Sequence, residues 1–250
     1  MDKQGITGAE VVDVFNLPPY GCSRRLYFQK IGEKSIAPCY YASEQLIKSQ
    51  VVISGDFVAE IYSKKTGRKV RTPNQNFHNP RYLFIIGDAD RLQTNVKKPD
   101  GRGSYVPLEI RVLTPVEFYK IRRDGLPANY YNYQLHHQMI AKQATWASLA
   151  LFCPDIMEML TFDITYDETT AAEVINAERS FWEKIQKKEI IPYRMAYFTE
   201  EENIIATRKC DLCGYRHNCL QPYEGYGKNK KEKVELTETV NQINDYLKEK

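Results

Sequence analysis

Apolar and polar positions alternate with changing periods along this chain, and the changes divide it into elements. Residues 7–16 read as a short helix opened by Thr7 and closed before Pro18 and Pro19, and residues 22–31 as a second helix with Leu26 and Ile31 on one side. A longer helical pattern covers 42–65, with a break near Ser54 and Gly55. The character then turns β-branched and aromatic. Runs at 69–72, 82–92 and 105–113, bounded by Pro, Gly, Asn and Asp, predict three strands, with a turn across 97–103. Helices are expected at 115–123 and 130–152, a fourth strand at 158–166 and a helix at 171–188. Leu236, Val240, Ile243 and Leu247 then recur at helical spacing behind a lysine-rich stretch. The sum is an α/β chain with a small mixed central sheet flanked by helices.

Composition narrows the setting. The 250 residues are enough for one full core. No apolar run is long enough to span a bilayer, and Met1–Gly5 begins no apolar signal region. The six cysteines therefore point to a reducing cytoplasm and metal ligation rather than to disulfides. A net charge of +3 is too small to identify a nucleic-acid partner. The basic clusters at 23–25, 64–71 and 120–123 read individually as solvated faces.

Cys210, Cys213 and Cys219 follow the pattern C-x2-C-x5-C, and basic and aromatic residues lie between them. Short loops of this kind turn thiolates inward round one metal or cluster. Cys22 is the best candidate for the fourth ligand, which would tie the start of the chain to its end and couple metal loading to folding. Spacing alone leaves zinc at least as good as an iron–sulfur cluster, with His217 able to replace a thiol. Cys39 and Cys153 fall outside the pattern, and Cys153 reads as a buried small residue at the end of a helical stretch.

A second chemical signal lies in the strands. Asp88 and Asp90 end one strand and Glu109 stands in the next, so the carboxylates can converge on a hard divalent cation. Alternation puts Glu109 and Arg111 on one face. Such a triplet alone is weak, since exposed strands often carry acid and base together. His136 and His137 are read as dividing between core and surface with no catalytic part, and Tyr130, Tyr131 and Tyr133 either stack on bases or pack at a helix start.

Taken in order, several segments resemble the YqaJ viral recombinases, relatives of lambda exonuclease and of RecB-type PD-(D/E)xK nucleases. They are Ile6–Glu10 with Leu17–Tyr20, Ala59–Tyr62 with Lys65–Val70, Gly87–Leu92, Leu108–Arg111, Tyr133–Met139, Phe181–Glu183 and Ile191–Pro192. The cysteine pattern resembles the iron–sulfur staple of AddB and of CRISPR-associated RecB-like nucleases. The resemblance implies a nuclease core over 1–200, a cysteine segment over 201–225 closing with Cys22, and a charged, helical tail over 226–250. It further implies a DNA exonuclease of phage or mobile-element recombination, repair or processing, using Mg²⁺ or Mn²⁺. Asp90 and Glu109 would be its metal ligands, with the Ile110 carbonyl beside them and Asp88 as the fallback for Asp90. Gln134 would open the helix motif that supports the site and contacts DNA, with Gln138 one turn along. A 4Fe-4S cluster on Cys22, Cys210, Cys213 and Cys219 is preferred to zinc. DNA is the implied partner, together with a recombination or processing protein and a homo-oligomer.

Two positions depart from the family pattern. Arg111 stands where the family has lysine; it can offset charge but cannot accept a proton. Gly55 stands where the family usually has glutamate, with Asp56 or Glu60 as the nearest substitutes. The alternative to an active nuclease is therefore a catalytically degenerate DNA-binding or scaffold protein on the same fold.

Overall fold

The computed structural model describes residues 5–17, 21–35, 55–97, 103–127, 130–191, 213–215 and 218–219. Cys39, Cys210, residues 42–54, most of the turn at 97–103 and the tail over 226–250 lie outside the described residues.

The chain enters on strand β1 (Ile6–Thr7), passes through a 3₁₀ turn (Gly8–Glu10) and continues into α1 (Val11–Val14). Thr7 and Glu10 form a reciprocal capping box there, satisfying two otherwise orphaned N–H groups. The single helix expected over 7–16 is thus a strand, a tight turn and one helical turn. Helix α2 (Ser23–Ile31) stops at Gly32, whose φ of 86° suits a residue without a Cβ. Helix α3 covers 55–66 without interruption.

Strands β2 (Val70–Arg71), β3 (Phe77–His78), β4 (Ile85–Gly87), β5 (Arg91–Lys97) and β6 (Gly103–Val112) follow. Then come α4 (Pro115–Asp124), α5 (Tyr130–Lys142), β7 (Trp146–Cys153), β8 (Glu158–Thr165) and α6 (Glu168–Lys187). Two sheets result, one in the order β1-β4-β3 and one in the order β2-β5-β6-β7-β8. In the larger sheet β6 and β7 are parallel and the other pairs antiparallel, so it is mixed as expected.

Two predicted elements are corrected. The run at 82–92 is not one strand: β4 belongs to the small sheet and β5 to the large one, and Asp88, Ala89 and Asp90 lie where the chain crosses between them. The helix expected over 130–152 ends at Lys142, and its second half is β7. Gln143 takes a left-handed φ of 56°, while Gln143 N–H donates to the Ile140 carbonyl and Ala144 N–H to that of Met139. This is a Schellman ending made without glycine. Strand β7 is apolar on both faces because both are covered. Leu149, Leu151 and Cys153 pack with Leu135 and Met139 of α5, whereas Ala150 and Phe152 pack with Val58 and Tyr62 of α3. Full burial of such Leu and Phe side chains stabilises by roughly 1.5–3 kcal/mol each. Cys153 is buried as expected, but it ends a strand.

The α3 side of the sheet also carries a polar network that joins buried Tyr62, Gln93 and Ser148 to the partly exposed Arg68–Asp163 pair. Arg68 donates to both oxygens of Asp163 (2.7 and 2.6 Å) and to Tyr62 Oη (2.9 Å). Ser148 Oγ donates to Asp163 (2.6 Å) and accepts from Gln93 Nε2 (3.0 Å). The network clamps β5, β7 and β8 to the end of α3, and Leu108 and Ile110 of β6 pack on the same helix. Glu109 therefore points the other way, towards α5.

Candidate active site

Four elements deliver side chains to one place: the β4–β5 crossing, β6, α5 and the turn after β1. Glu109 is buried, and its carboxylate accepts from Gln138 Nε2 at Oε1 (2.9 Å) and from Gln134 Nε2 at Oε2 (3.2 Å). Gln138 also donates to Asp88 Oδ1 (2.7 Å) and accepts from the Asp88 N–H (3.1 Å). Asp88 Oδ1 accepts in addition from Gly8 N–H (2.8 Å). Asp90 Oδ2 accepts from Ile110 N–H (2.8 Å), which fixes the crossing segment against β6.

Arg111 completes the arrangement. Its guanidinium stands 3.2 Å from Asp90 Oδ2 and 3.2 Å from Glu109 Oε2, and it donates to the Ile110 carbonyl at 2.7 Å. These are the three oxygens that the sequence offered to a divalent cation. Burial is the largest influence on Glu109 and pushes its carboxyl well above the usual 4.5; the charges of Asp90 and Asp88 add to this, while Arg111 works against it. An excess of buried negative charge is what a bound cation relieves. The oxygens are also hard donors of the kind that suits Mg²⁺ or Mn²⁺. The donor set therefore fits such an ion, on condition that the guanidinium yields its place. Among the described residues no three of His, Cys, Asp and Glu already stand in ligating positions round one point.

The expected residues Asp90, Glu109, Ile110, Arg111 and Gln134 are thus neighbours, and Asp88 stands in the same cluster. Gln138 binds two of the carboxylates, and its i, i+4 relation to Gln134 was the signal that placed it on the same face. Gly8 is the residue that motif reading undervalued. A Cβ there would stand 2.2 Å from Gln138 Nε2 and 2.8 Å from Asp88 Oδ1, so any larger residue must displace the side chains that hold the cluster together. Gly55 offers no carboxylate. A Cβ there would meet the Arg91 guanidinium at 3.5 Å, and that guanidinium is paired with Asp56. Glu60 is exposed and lies 2.6 Å from the Lys64 ammonium.

The two histidines depart from expectation, because both are buried. His136 receives the Asp167 N–H at Nε2 (2.9 Å), and Nδ1 faces the Asn132 carbonyl (2.8 Å). Burial holds its pKa below the ordinary imidazole value. His137 Nε2 faces the Ile86 carbonyl (2.9 Å), which can only accept, while Nδ1 meets Glu178 Oε1 at 2.7 Å. The pair must therefore hold a further proton between Nδ1 and the carboxyl. Burial opposes charge on His137, but the Glu178 carboxylate outweighs it and raises the pKa. Burial raises Glu178 as well, so the two buried groups share that proton. Both histidines lock α5 to its neighbours, and His137 anchors the strand that leads into Asp88.

At the other end of α5's neighbours, α2 meets the cysteine segment. Arg25, whose charge is opposed by burial but held by Asp13 at 2.7 Å, lies within electrostatic reach of both Cys22 and Cys213. Tyr215 stacks on Phe28 with ring centroids 6.1 Å apart, and Cys219 packs on the core beneath α2.

The sequence model for the YqaJ-like viral recombinase domain matches residues 1–145, more than half of the 250-residue chain. The chain belongs to this family. The matched span includes every member of the carboxylate cluster together with Gln134 and Gln138. It stops before the segments at 181–183 and 191–192 that the motif reading also included. No curated protein sequence matches the chain. Among solved structures, an alkaline exonuclease (LHK-Exo) from Laribacter hongkongensis is similar at 16% identity and a TM-score of 0.56, over 74% of this chain and 90% of that one. LHK-Exo in complex with dAMP is similar at 18% identity and a TM-score of 0.55, over the same 74% and 90%. At these identities the likeness concerns the fold, and the YqaJ-like chain shares the α/β architecture of that exonuclease.

Proposed function

We propose that this YqaJ-like protein is a divalent-metal-dependent deoxyribonuclease of exonucleolytic type, acting on DNA ends in phage or mobile-element recombination, repair or processing. The observation that carries the reading is the convergence of Asp88, Asp90 and Glu109 with Arg111 at the β4–β5 crossing, under two glutamines of α5. Family membership and a fold like that of an alkaline exonuclease support it.

Asp90, Glu109 and the Ile110 carbonyl are the residues that would hold Mg²⁺ or Mn²⁺, which supplies an activated water and offsets charge on the phosphodiester. Gln134 and Gln138 fix the two Glu109 oxygens, and Gln138 together with Gly8 N–H fixes Asp88, so the acidic groups are oriented before substrate arrives. Arg111 offers guanidinium N–H donors to the phosphate oxygens and stabilises the charge that grows there. A guanidinium stays protonated, so it takes no proton from the attacking water. The test is cleavage of end-labelled linear single- and double-stranded DNA with Mn²⁺, beside Asp90→Ala. Degradation lost in the variant supports the reading, and an inactive wild-type protein that still binds DNA refutes it.

A second reading has its own observation. Arg111 already satisfies the three ligand oxygens, and the Arg91 guanidinium borders Gly55, where relatives have glutamate. A chain in which this arrangement is permanent would bind DNA without cutting it. For the cysteine segment we propose a structural 4Fe-4S cluster on Cys22, Cys210, Cys213 and Cys219, with zinc as runner-up. The approach of Cys22 and Cys213 to one arginine supports it. Anaerobic protein should absorb visible light and lose iron in Cys22→Ser, whereas colourless, zinc-bearing protein would refute the cluster.

A further inference from the structure

The basic run at 64–71 divides in the folded chain. Lys64 pairs with Glu60, Lys65 donates to the Met159 carbonyl at 2.6 Å, and Arg68 is held by Asp163. Arg71 goes elsewhere. It lies opposite Leu92 on β5, which lies opposite Pro107 on β6. Directly paired residues share a face, and residues two apart on β6 do so too. Arg71, Tyr105, Pro107, Glu109 and Arg111 therefore occupy one face of the large sheet.

On that face the Arg71 guanidinium sits 4.4 Å from the centre of the Tyr105 ring. The Lys142 ammonium, at the end of α5, stands 5.4 Å from the Tyr105 ring centre and 5.1 Å from that of Phe77. The Phe77 ring in turn lies against Gly87, next to Asp88; a Cβ on Gly87 would fall 2.1 Å from it. Two cations and two rings thus adjoin the carboxylate cluster. Neither cation has a carboxylate partner among the described residues. Burial and the charge of Arg71 lower the Lys142 pKa, as expected of cations gathered without an anion. Tyr105, near the start of β6, is 44% exposed.

We propose that Arg71, Lys142, Tyr105 and Phe77 form a second DNA contact that holds the strand next to the cut site, the cations on phosphates and the exposed Tyr105 ring against a sugar or base. The ligand follows from charge complementarity and from the position. Tyr105 is four residues along β6 from Glu109, roughly 13 Å at the usual rise per residue. A strand bound at the carboxylate cluster would need to travel only a few nucleotides along the same sheet face to reach it. Cationic grooves lined with rings are a general solution for unpaired strands. The choice of DNA as the ligand rests on the proposed nuclease reading.

The test is anisotropy of a 5′-fluorescein oligothymidylate with the full chain in EDTA, across a KCl series, where nothing is cut. Arg71→Gln with Lys142→Gln should weaken binding about tenfold at moderate salt. It should also lower the slope of log K against log[KCl] by about 1.4, near 0.7 for each cation on a single strand. Tyr105→Ala should weaken binding about tenfold with little change of slope, and Tyr105→Phe should restore it. Arg71→Glu, at an exposed position, should weaken binding more than Arg71→Gln and serves if the double variant does not fold. Wild-type affinity and slope in the folded cation variants would overturn the proposal, as would wild-type protein that does not bind the oligonucleotide. Because no cleavage is measured, this failure is separate from failure of the nuclease reading, which Asp90→Ala decides with metal present.

Discussion

Arg111→Lys puts the relation between the guanidinium and the metal ligands to a direct test. Arg111 spans Asp90, Glu109 and the Ile110 carbonyl with side-chain exposures of 30% for Arg111, 39% for Asp90 and 4% for Glu109. Two unit charges near 4 Å attract by about 4 kcal/mol at an effective dielectric of 20. Solvent reaches Asp90, so its share is discounted to about 1 kcal/mol or less. An incoming cation that displaces the guanidinium thus meets a penalty of about 1–2 kcal/mol. The single ammonium of lysine cannot bridge the same three oxygens with a planar fork. Removing the penalty should lower the half-saturating Mn²⁺ concentration about 5- to 30-fold in Arg111→Lys and in Arg111→Ala, with Asp90→Ala losing the site. The free Mn²⁺ electron paramagnetic resonance signal during titration measures this without substrate. Equal or weaker Mn²⁺ binding in both Arg111 variants would refute the reasoning, since the guanidinium would then not compete for the ligand oxygens.

Glu109→Gln should change stability in a pH-dependent way. Because burial and Asp90 raise the folded pKa above 4.5, the wild-type contribution is full below that value and is lost as pH rises through the folded pKa. The variant's melting temperature should therefore gain on wild type as pH rises from 5 to 8. A difference independent of pH would contradict the assignment. Gly8→Ala should displace Gln138 and release Asp88 and Glu109, with more than tenfold loss of cleavage and about 1–3 kcal/mol of stability by denaturant titration. Arg68→Ala should cost about 1 kcal/mol or less, since its pair with Asp163 is partly exposed and Asp163 keeps the Ser148 donor, and Asp163→Ala added to it should cost less than the sum.

Where sequence reading succeeded and failed has a physical pattern. Helix α4 was legible because its limits are chemical: Thr114 caps it, Pro115 begins it and Gly125 follows it. The end of α5 carries no comparable mark, since its left-handed position is filled by Gln143. The next residues, Trp146–Cys153, are apolar without period because β7 is covered on both faces, and a short run of that kind resembles a buried helix. The pair of buried histidines was misplaced for a related reason. Their partners, Asp167, Ile86 and Glu178, are distant in sequence, so no local pattern could announce that both would be satisfied inside.

The carboxylate cluster was legible in spite of these errors because it depends on few of them. Glu109, Ile110 and Arg111 are fixed by alternation along β6, and Gln134 with Gln138 by one helical turn, whatever follows Lys142. Only the role of Asp88 depended on the strand that was misread. A continuous strand over 82–92 would allow one residue of the acidic segment to face the site and leave the other as its substitute. The crossing between sheets removes that restriction. At the crossing the backbone leaves regular alternation, Asp88 is drawn to Gly8 and Gln138, and Asp90 is drawn to Ile110 N–H. A break in strand geometry between two sheets is thus what lets two acids two residues apart reach the same buried glutamate, and the same break places Phe77 and Gly87 beside them.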